Sequence, residues 1–399
     1  MSGFVKAITT SLATNPRILW ARPAVNLFLA GYIRKFRPRS VGGQLILHSH
    51  LPPLNSPAYA RFVDEHILGR SQGPSHAQIG VTNACPQNCG YCYNRDRSGE
   101  PMDTSTILRI IRELQQMGVV WLGLTGGEPL LNPDLAHLVR KAAEMCAVKL
   151  FTTGCGLTPS LASELRQAGL FSVSVSLDHW DPEVHDRGRG YAGAYSEALR
   201  AIEVFRAQGI DTGVSSVLSG DTIGAEGSQR FLAFLDTLGI NEAWISEVKP
   251  SGRESWNGQG ICTVDDRKAL AVLQDRYNRR KGMTVNYLGH FEGARHFGCN
   301  AGTRMIYVDA FGEVNPCVFT PISFGNVKKR PVSEVWNDMT PLFTPSSSCF
   351  ANENYPLYSR YDTGSLPISP EGSSALMREA VFREPARFQR ILKGRRRGS

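Results

Sequence analysis

The chain has 399 residues, 42% hydrophobic and 20% charged, which excludes a disordered or collagen-like protein and allows one large domain with a smaller one beside it. The formal charge of +8 is modest for this length, and part of it lies in the tail residues Lys393, Arg395, Arg396 and Arg397. That tail lacks the interleaved aromatics of a single-strand binder and reads as a solvated end, so no nucleic-acid partner is expected.

Residues 1–75 differ in pattern from the rest of the chain. Val25, Phe28, Leu29, Tyr32, Ile33 and Phe36 recur at helical spacing with Asn26, Arg34 and Lys35 off the stripe, which predicts an amphipathic helix. The segment is too short and too interrupted by Arg22, Pro23 and Asn26 to span a membrane. It can pack on the main domain, or lie on a membrane surface as a peripheral contact beside a lipid substrate.

From residue 76 short β-branched runs alternate with capped helical segments. Strands are predicted at 78–82, 119–124, 148–152, 172–176, 212–217 and 243–247. Between them, Ile107, Ile110, Ile111, Leu114 and Met117 form one helical face, capped by Asp103 or Thr104 and stopped by Gly118. Asn132-Pro133 and Thr158-Pro159 each place a cap before a proline at the first helical position, and Gly169, Gly209 and Gly239 close helices. Six such units over residues 76–282 predict an α/β fold, a partial (β/α)6 TIM-type barrel with ligands at the carboxyl ends of its strands. Helical periodicity fades after 282, where a small second domain is placed over 283–350. Residues 351–399 read as a loop-rich segment with a short helix and the basic tail.

Nine cysteines, an odd number, do not form the framework of a secreted scaffold, and no signal-like apolar run opens the chain. A reducing cytoplasm is the expected compartment, where clustered thiols point to metal or catalysis. Cys85, Cys89 and Cys92 follow the first barrel strand with three and then two residues between them. Three thiolates so close can hold three irons of a cubane and leave the fourth iron open to chelate a small molecule. A zinc knuckle is the competing reading, but no fourth Cys or His lies at the near spacing; a non-enzymatic zinc or redox-sensing protein is the alternative of another class.

This spacing, with Tyr91 before the last cysteine, resembles the signature of the radical S-adenosylmethionine (SAM) superfamily. The resemblance implies a [4Fe-4S] cluster, SAM bound through its amino and carboxylate groups at the open iron, and reductive cleavage to a 5′-deoxyadenosyl radical. It also implies an electron donor such as flavodoxin or ferredoxin. One strand further, Gly126-Gly127-Glu128-Pro129 is similar to the family element that contacts the methionine amino group, with Glu128 as the expected salt-bridge partner. Ser176 and Asp178 resemble a segment that bonds the ribose. Arg189 either meets the methionine carboxylate or is salt-bridged to Asp186 for structure.

Near the C-terminus Cys299 and Cys317 flank a strand-like run, Met305 to Val308, and a turn at Asp309 to Gly312. With Gly312 to Cys317, Gly325-Asn326-Val327 and Val335-Trp336, this resembles the SPASM extension or its shorter Twitch form, in which such cysteines hold an auxiliary iron–sulfur cluster. Cys349 is the third candidate thiolate, and Cys262, His296, water or substrate the fourth ligand. The dense cysteine run of a second auxiliary cluster is missing, so at most one is implied; Cys146 and Cys155 read as packing residues. The favoured reaction is an oxidative modification of a peptide or protein. A lipid, polyprenyl or small sugar-like substrate is the alternative, since residues 1–75 do not read as a leader-gripping winged domain. No catalytic side chain beyond the cofactor contacts is singled out.

Overall fold

The hydrophobic runs build a sheet whose strands point the same way because each is followed by a capped helix that returns the chain to the sheet's starting edge. The computed structural model describes residues 3–219, 222–253, 256, 262–280 and 282–393. After a small hairpin of β1 (Arg39–Val41) and β2 (Gln44–Ile46), the strands are β3 (His76–Gly80), β4 (Trp121–Thr125), β5 (Ala147–Thr152), β6 (Leu170–Ser176), β7 (Asp211–Leu218), β8 (Glu242–Glu247), β9 (Thr284–Tyr287), β10 (Met305–Val308) and β11 (Val314–Asn315). The main sheet is nine-stranded in the order β11-β10-β3-β4-β5-β6-β7-β8-β9. Only the β10–β11 pair is antiparallel.

All six expected strands are present, and three more extend the sheet. β9 pairs with β8, and β10 pairs in parallel with β3. The expected division at residue 282 therefore falls inside the sheet, because the strand after the crossover at 288–304 returns to the barrel's first strand.

The helix Thr104–Gln116 buries Ile107, Ile110, Ile111 and Leu114, and Asp103 caps it by accepting from Thr106 N–H. Thr158 caps Pro159–Gln167 in the same way. Gly169, Gly209 and Gly239 follow their helices in the left-handed region. The expected cap at Asn132 is displaced: the regular helix starts at Leu135. The Asn132 amide instead donates to Val81 O and accepts from Asp134 N–H, tying the turn to the end of the first barrel strand.

Residues 3–67 form a separate apolar cluster built on Val25, Phe28, Tyr32, Ile33, Leu47 and Tyr59, to which the helix Arg387–Lys393 contributes Phe388. The helix Pro23–Ile33 buries the expected stripe. It is not amphipathic, however: Ala24, Leu27 and Gly31 occupy its exposed face, so it is apolar on both sides. Among the described residues no helix is long and apolar enough to cross a membrane.

Between this layer and the strands' amino ends lies a buried ionic network. Arg39 holds Asp211 at 2.8 Å and Glu242 at 3.1 Å. Lys149 donates to Ser49 Oγ at 2.5 Å and lies 3.8 Å from Glu242. Trp121 Nε1 donates to Ser49 O, fastening the same loop. The amino end of the barrel is thereby stoppered by paired charges, and the carboxyl end is left for the site.

Candidate functional site

The loop after β3 carries Cys85, Cys89 and Cys92, and the loop after β4 carries Gly126, Gly127 and Glu128. Backbone bonds stitch one to the other: Gly127 N–H donates to Thr82 O and Glu128 N–H to Ala84 O, each at 2.7 Å. The glycines are required by this proximity. A Cβ on Gly127 would stand 2.3 Å from Ala84 O, and one on Gly126, whose φ is +130°, 2.2 Å from Thr82 O. Tyr93 adds a hydroxyl bond to Thr125 at 2.6 Å.

Glu128 is fully buried, and its carboxylate accepts from Leu130 N–H, Thr152 Oγ1, Thr153 N–H and Thr153 Oγ1 at 2.5 to 2.9 Å. Burial raises its pKa while these donors oppose the rise. All four bonds go to this chain's own groups, and they fix the loop.

The third element converges on the same loop. Asp178, after β6, accepts from Val217 N–H at 2.8 Å and from the Tyr91 hydroxyl, and pairs with Arg189 at 2.8 Å. Arg189 is thus held by Asp178 and not by Asp186, the sequence-based alternative, because Asp186 caps the following helix through Gly193 and Tyr195 N–H. The Arg189 guanidinium also lies 3.9 Å from Cys89 Sγ and over the Tyr91 ring, while its backbone carbonyl accepts from Asn88 N–H. Ser176 is half-buried at the end of β6.

Burial pushes the Cys85 thiol up to about 11 and raises Cys89, against which the Arg189 charge works. Cys85 senses charge on both Cys89 and Cys92, so the three thiols share one neighbourhood. Among the described residues, no three Cys, His, Asp or Glu side chains are already drawn together at metal-ligand spacing. The donor set nevertheless suits an iron–sulfur cluster with an anionic, hydroxyl-bearing ligand. It offers three thiols beside a cation, and the buried Arg189 Nε and Ser174 Oγ have no protein partner.

Cys299, Cys317 and Cys349 also converge. Burial pushes Cys299 up to about 11 and Cys317 to about 12 and raises Cys349 well above the usual thiol value, and charge on Cys299 raises the other two. Tyr358, fully buried, senses all three. Beside them Lys249, buried, is bonded to Glu247 at 3.2 Å and Glu292 at 3.1 Å. His296 is engaged elsewhere, with Lys35 at 2.6 Å and with the His290 ring, tilted against it at 4.0 Å. Cys262 lies in the field of Glu247 and Asp266. Cys146 is a packing residue whose thiol donates to Val119 O, and Cys155 is half-buried.

A cavity of about 290 Å³ lies between the N-terminal layer, the barrel interior and the C-terminal cysteines; the residues that line it do not include those of the Cys85–Cys92 loop. Leu29, Tyr32, Phe291, Phe297 and Trp244 line it; it reaches Gln78 and Ser215 inside the barrel and the three C-terminal cysteines.

Two residues that organise this arrangement escaped sequence reasoning. Arg97 donates to Asp309 and Asn315, joining the cysteine loop to the β10–β11 turn, and Lys249 stands beside the C-terminal thiols. A lone arginine or lysine carries no spacing signal; only the length of the segment after Cys92 hinted that something must anchor it.

Comparison with known proteins agrees with this geometry. The radical SAM superfamily matches residues 79–232, and the SPASM iron-sulfur cluster-binding domain matches residues 299–350. The mycofactocin maturase MftC of Mycobacterium ulcerans is 34% identical over 292 residues, 66% of this chain and 74% of that protein. The PqqA peptide cyclase of Ruegeria pomeroyi is 34% identical over 272 residues, 64% and 72% respectively. The AdoMet-dependent heme synthase of Methanosarcina barkeri is 28% identical over 298 residues, 68% and 84%. Among solved structures, Streptococcus suis SuiB superposes with a TM-score of 0.58 at 16% identity, covering 82% of this chain and 79% of its own, a likeness of fold. With sequence relatives at this identity and both domain signatures in place, the chain belongs to the radical SAM superfamily as an enzyme bearing a SPASM domain, with a [4Fe-4S] cluster and SAM as its cofactors.

Proposed function

We propose that this enzyme carries out an oxidative, hydrogen-abstracting modification of a peptide or protein. In this reading residues 76–282 are the radical SAM core, 283–350 the SPASM-like unit, 1–75 an N-terminal extension and 351–399 a closing segment. Cys85, Cys89 and Cys92 hold the [4Fe-4S] cluster. Cys299, Cys317 and Cys349 hold one auxiliary cluster. Reduced cluster and bound SAM together supply a 5′-deoxyadenosyl radical.

The chain's own residues then position and shield. Gly126 and Gly127 let the loop after β4 close against the cysteine loop, which sets the wall on which SAM would lie, and Glu128 holds the β4 loop rigid. Ser176 offers a hydroxyl for the ribose. Tyr91 and Asp178 aim Arg189, whose unpartnered Nε is the donor for a carboxylate. Excluding water and holding one carbon–hydrogen bond in contact are the remaining tasks.

The carrying observation is the cavity that runs from the barrel interior to the C-terminal thiols, since a substrate seated in it would lie beside the residues that would hold an auxiliary cluster, and such a cluster would be the acceptor for the electron of an oxidative reaction. The peptide class is supported by the relatives named PqqA peptide cyclase and mycofactocin maturase, and by SuiB, solved with its precursor peptide. A lipid or polyprenyl substrate is the second reading, favoured by the apolar cavity lining. Flavodoxin or ferredoxin is the proposed donor and the cytoplasm the proposed compartment.

The test is anaerobic reconstitution with dithionite and SAM. Wild type should be brown and release 5′-deoxyadenosine, whereas Cys89→Ala should keep only about half the iron, that of the auxiliary cluster, and release no 5′-deoxyadenosine. Transfer of deuterium from a labelled peptide into 5′-deoxyadenosine identifies the substrate class; regeneration of SAM at each turnover would contradict an oxidative outcome.

A further inference from the structure

The outer surface of the N-terminal layer is unlike that of a helix facing water. Trp20 is 69% exposed, Leu19 64% and Leu27 74%, and Leu27 shares its helix face with Ala24 and Gly31, also exposed. A helix apolar all round is one whose outer face meets something apolar. The inner face is already satisfied by Val25, Phe28, Tyr32 and Ile33, so the outer one needs a different partner.

The charge around this face is mainly positive, although Arg17 is paired with Asp64 at 3.3 Å. The first 63 residues contain no Asp or Glu, while Lys6, Arg17, Arg22, Arg34 and Arg37 are all exposed. The helix Arg387–Lys393 packs on the same helix, where Arg22 donates to Ile391 O, and it adds exposed Arg387 and Arg390. In sequence it leads directly to Arg395, Arg396 and Arg397. Arg17 lies over the Trp20 ring at 5.9 Å, the pairing of cation and indole that suits the boundary between headgroups and acyl chains.

We propose that this face docks on an anionic lipid bilayer, with Leu19, Trp20 and Leu27 entering the interface and the surrounding arginines meeting lipid phosphates. Apolar insertion and a basic rim each contribute part of the affinity, as in other interfacial anchors. A protein partner would need acidic complementarity and a shaped pocket for Trp20; a bilayer needs only apolar side chains ringed by cations. The docking is independent of substrate class, since a peptide or a lipid can both be met at a membrane.

The test is flotation of the full chain with vesicles of phosphatidylglycerol and phosphatidylcholine in equal parts, and with phosphatidylcholine alone. Wild type should float with the anionic vesicles, less in high salt, and stay down with the neutral ones. The double variant Trp20→Ser, Leu27→Ser should lose about tenfold or more of the binding. It should keep the wild-type melting temperature, because both side chains are exposed. Wild type that ignores anionic vesicles, or a double variant that floats equally well, overturns the proposal. So does a concentration-dependent dimer that the double variant abolishes, since a second copy would then cover the face.

Discussion

Arg97 Nη1 lies 2.8 Å from Asp309 Oδ2 with both side chains wholly buried, so the loop bearing Cys85, Cys89 and Cys92 is bolted to the turn that precedes Cys317. Asp309 also accepts from Phe311 and Glu313 N–H. Removing one partner leaves an uncompensated buried charge, so Asp309→Ala should cost about 3–5 kcal/mol. Urea unfolding of the apo chain measures it. Adding Arg97→Met should restore part of the loss, and no restoration would mean that the turn bonds, not the ion pair, carry the stability.

Gly127→Ala should separate the two loops at the carboxyl end of β3 and β4. The added carbon would meet the backbone carbonyl of Ala84, which cannot turn aside as a flexible side chain would. The expected cost is about 1–3 kcal/mol, together with poor retention of iron at the N-terminal site. Iron and sulfide analysis beside a melting curve reads both; wild-type iron loading would show that the loops can part harmlessly.

Cys317→Ala separates the two thiol groups functionally. Iron should fall to about half, as one of two clusters is lost, while reductive release of 5′-deoxyadenosine persists and substrate turnover disappears. Unchanged iron with full turnover would remove the auxiliary site from the proposed function.

Glu242 should make the apo fold sensitive to acid. Burial alone would raise its pKa, but Arg39 and Lys149 outweigh burial and hold it at about 2, below the usual 4.5. A depressed carboxylate contributes stability that is present above its unfolded value and is lost as pH falls through the folded one. Stability should therefore decline between pH 4.5 and pH 2. Glu242→Gln should flatten that slope and be less stable at neutral pH, because it takes the nearest carboxylate from Lys149 and leaves Arg39 with Asp211 alone. A slope equal to wild type would assign the acid sensitivity to other carboxylates.

The cysteine loop, the Gly-Gly-Glu turn and the six barrel strands were legible because each rests on local rules: thiol spacing, close backbone approach, and period-two runs between capped helices. Ser176, Asp178 and Arg189 were correctly brought to one end of the sheet, but their pairing was not, since whether Arg189 meets Asp178 or Asp186 depends on which carboxylate the next helix consumes as its cap. Glu128 reads from its type as a ligand for an ammonium; its four internal donors come from Thr152, Thr153 and Leu130, two of these residues a full β-unit away in sequence. The return of β10 to β3 was invisible for the same reason, as a four-residue strand beside a partner more than two hundred residues earlier has no local signature. Amphipathicity of the helix Pro23–Ile33 was overestimated because Ala24 and Gly31 count little in a pattern search yet leave Leu27 unshielded.

The parallel seam between β10 and β3 has a mechanical consequence. A C-terminal unit fused into the barrel through main-chain bonds cannot swing away as a lid without tearing the sheet, so admission of a substrate and escape of its product must be managed by loops. The distance between the two groups of thiols is then a constant of the scaffold.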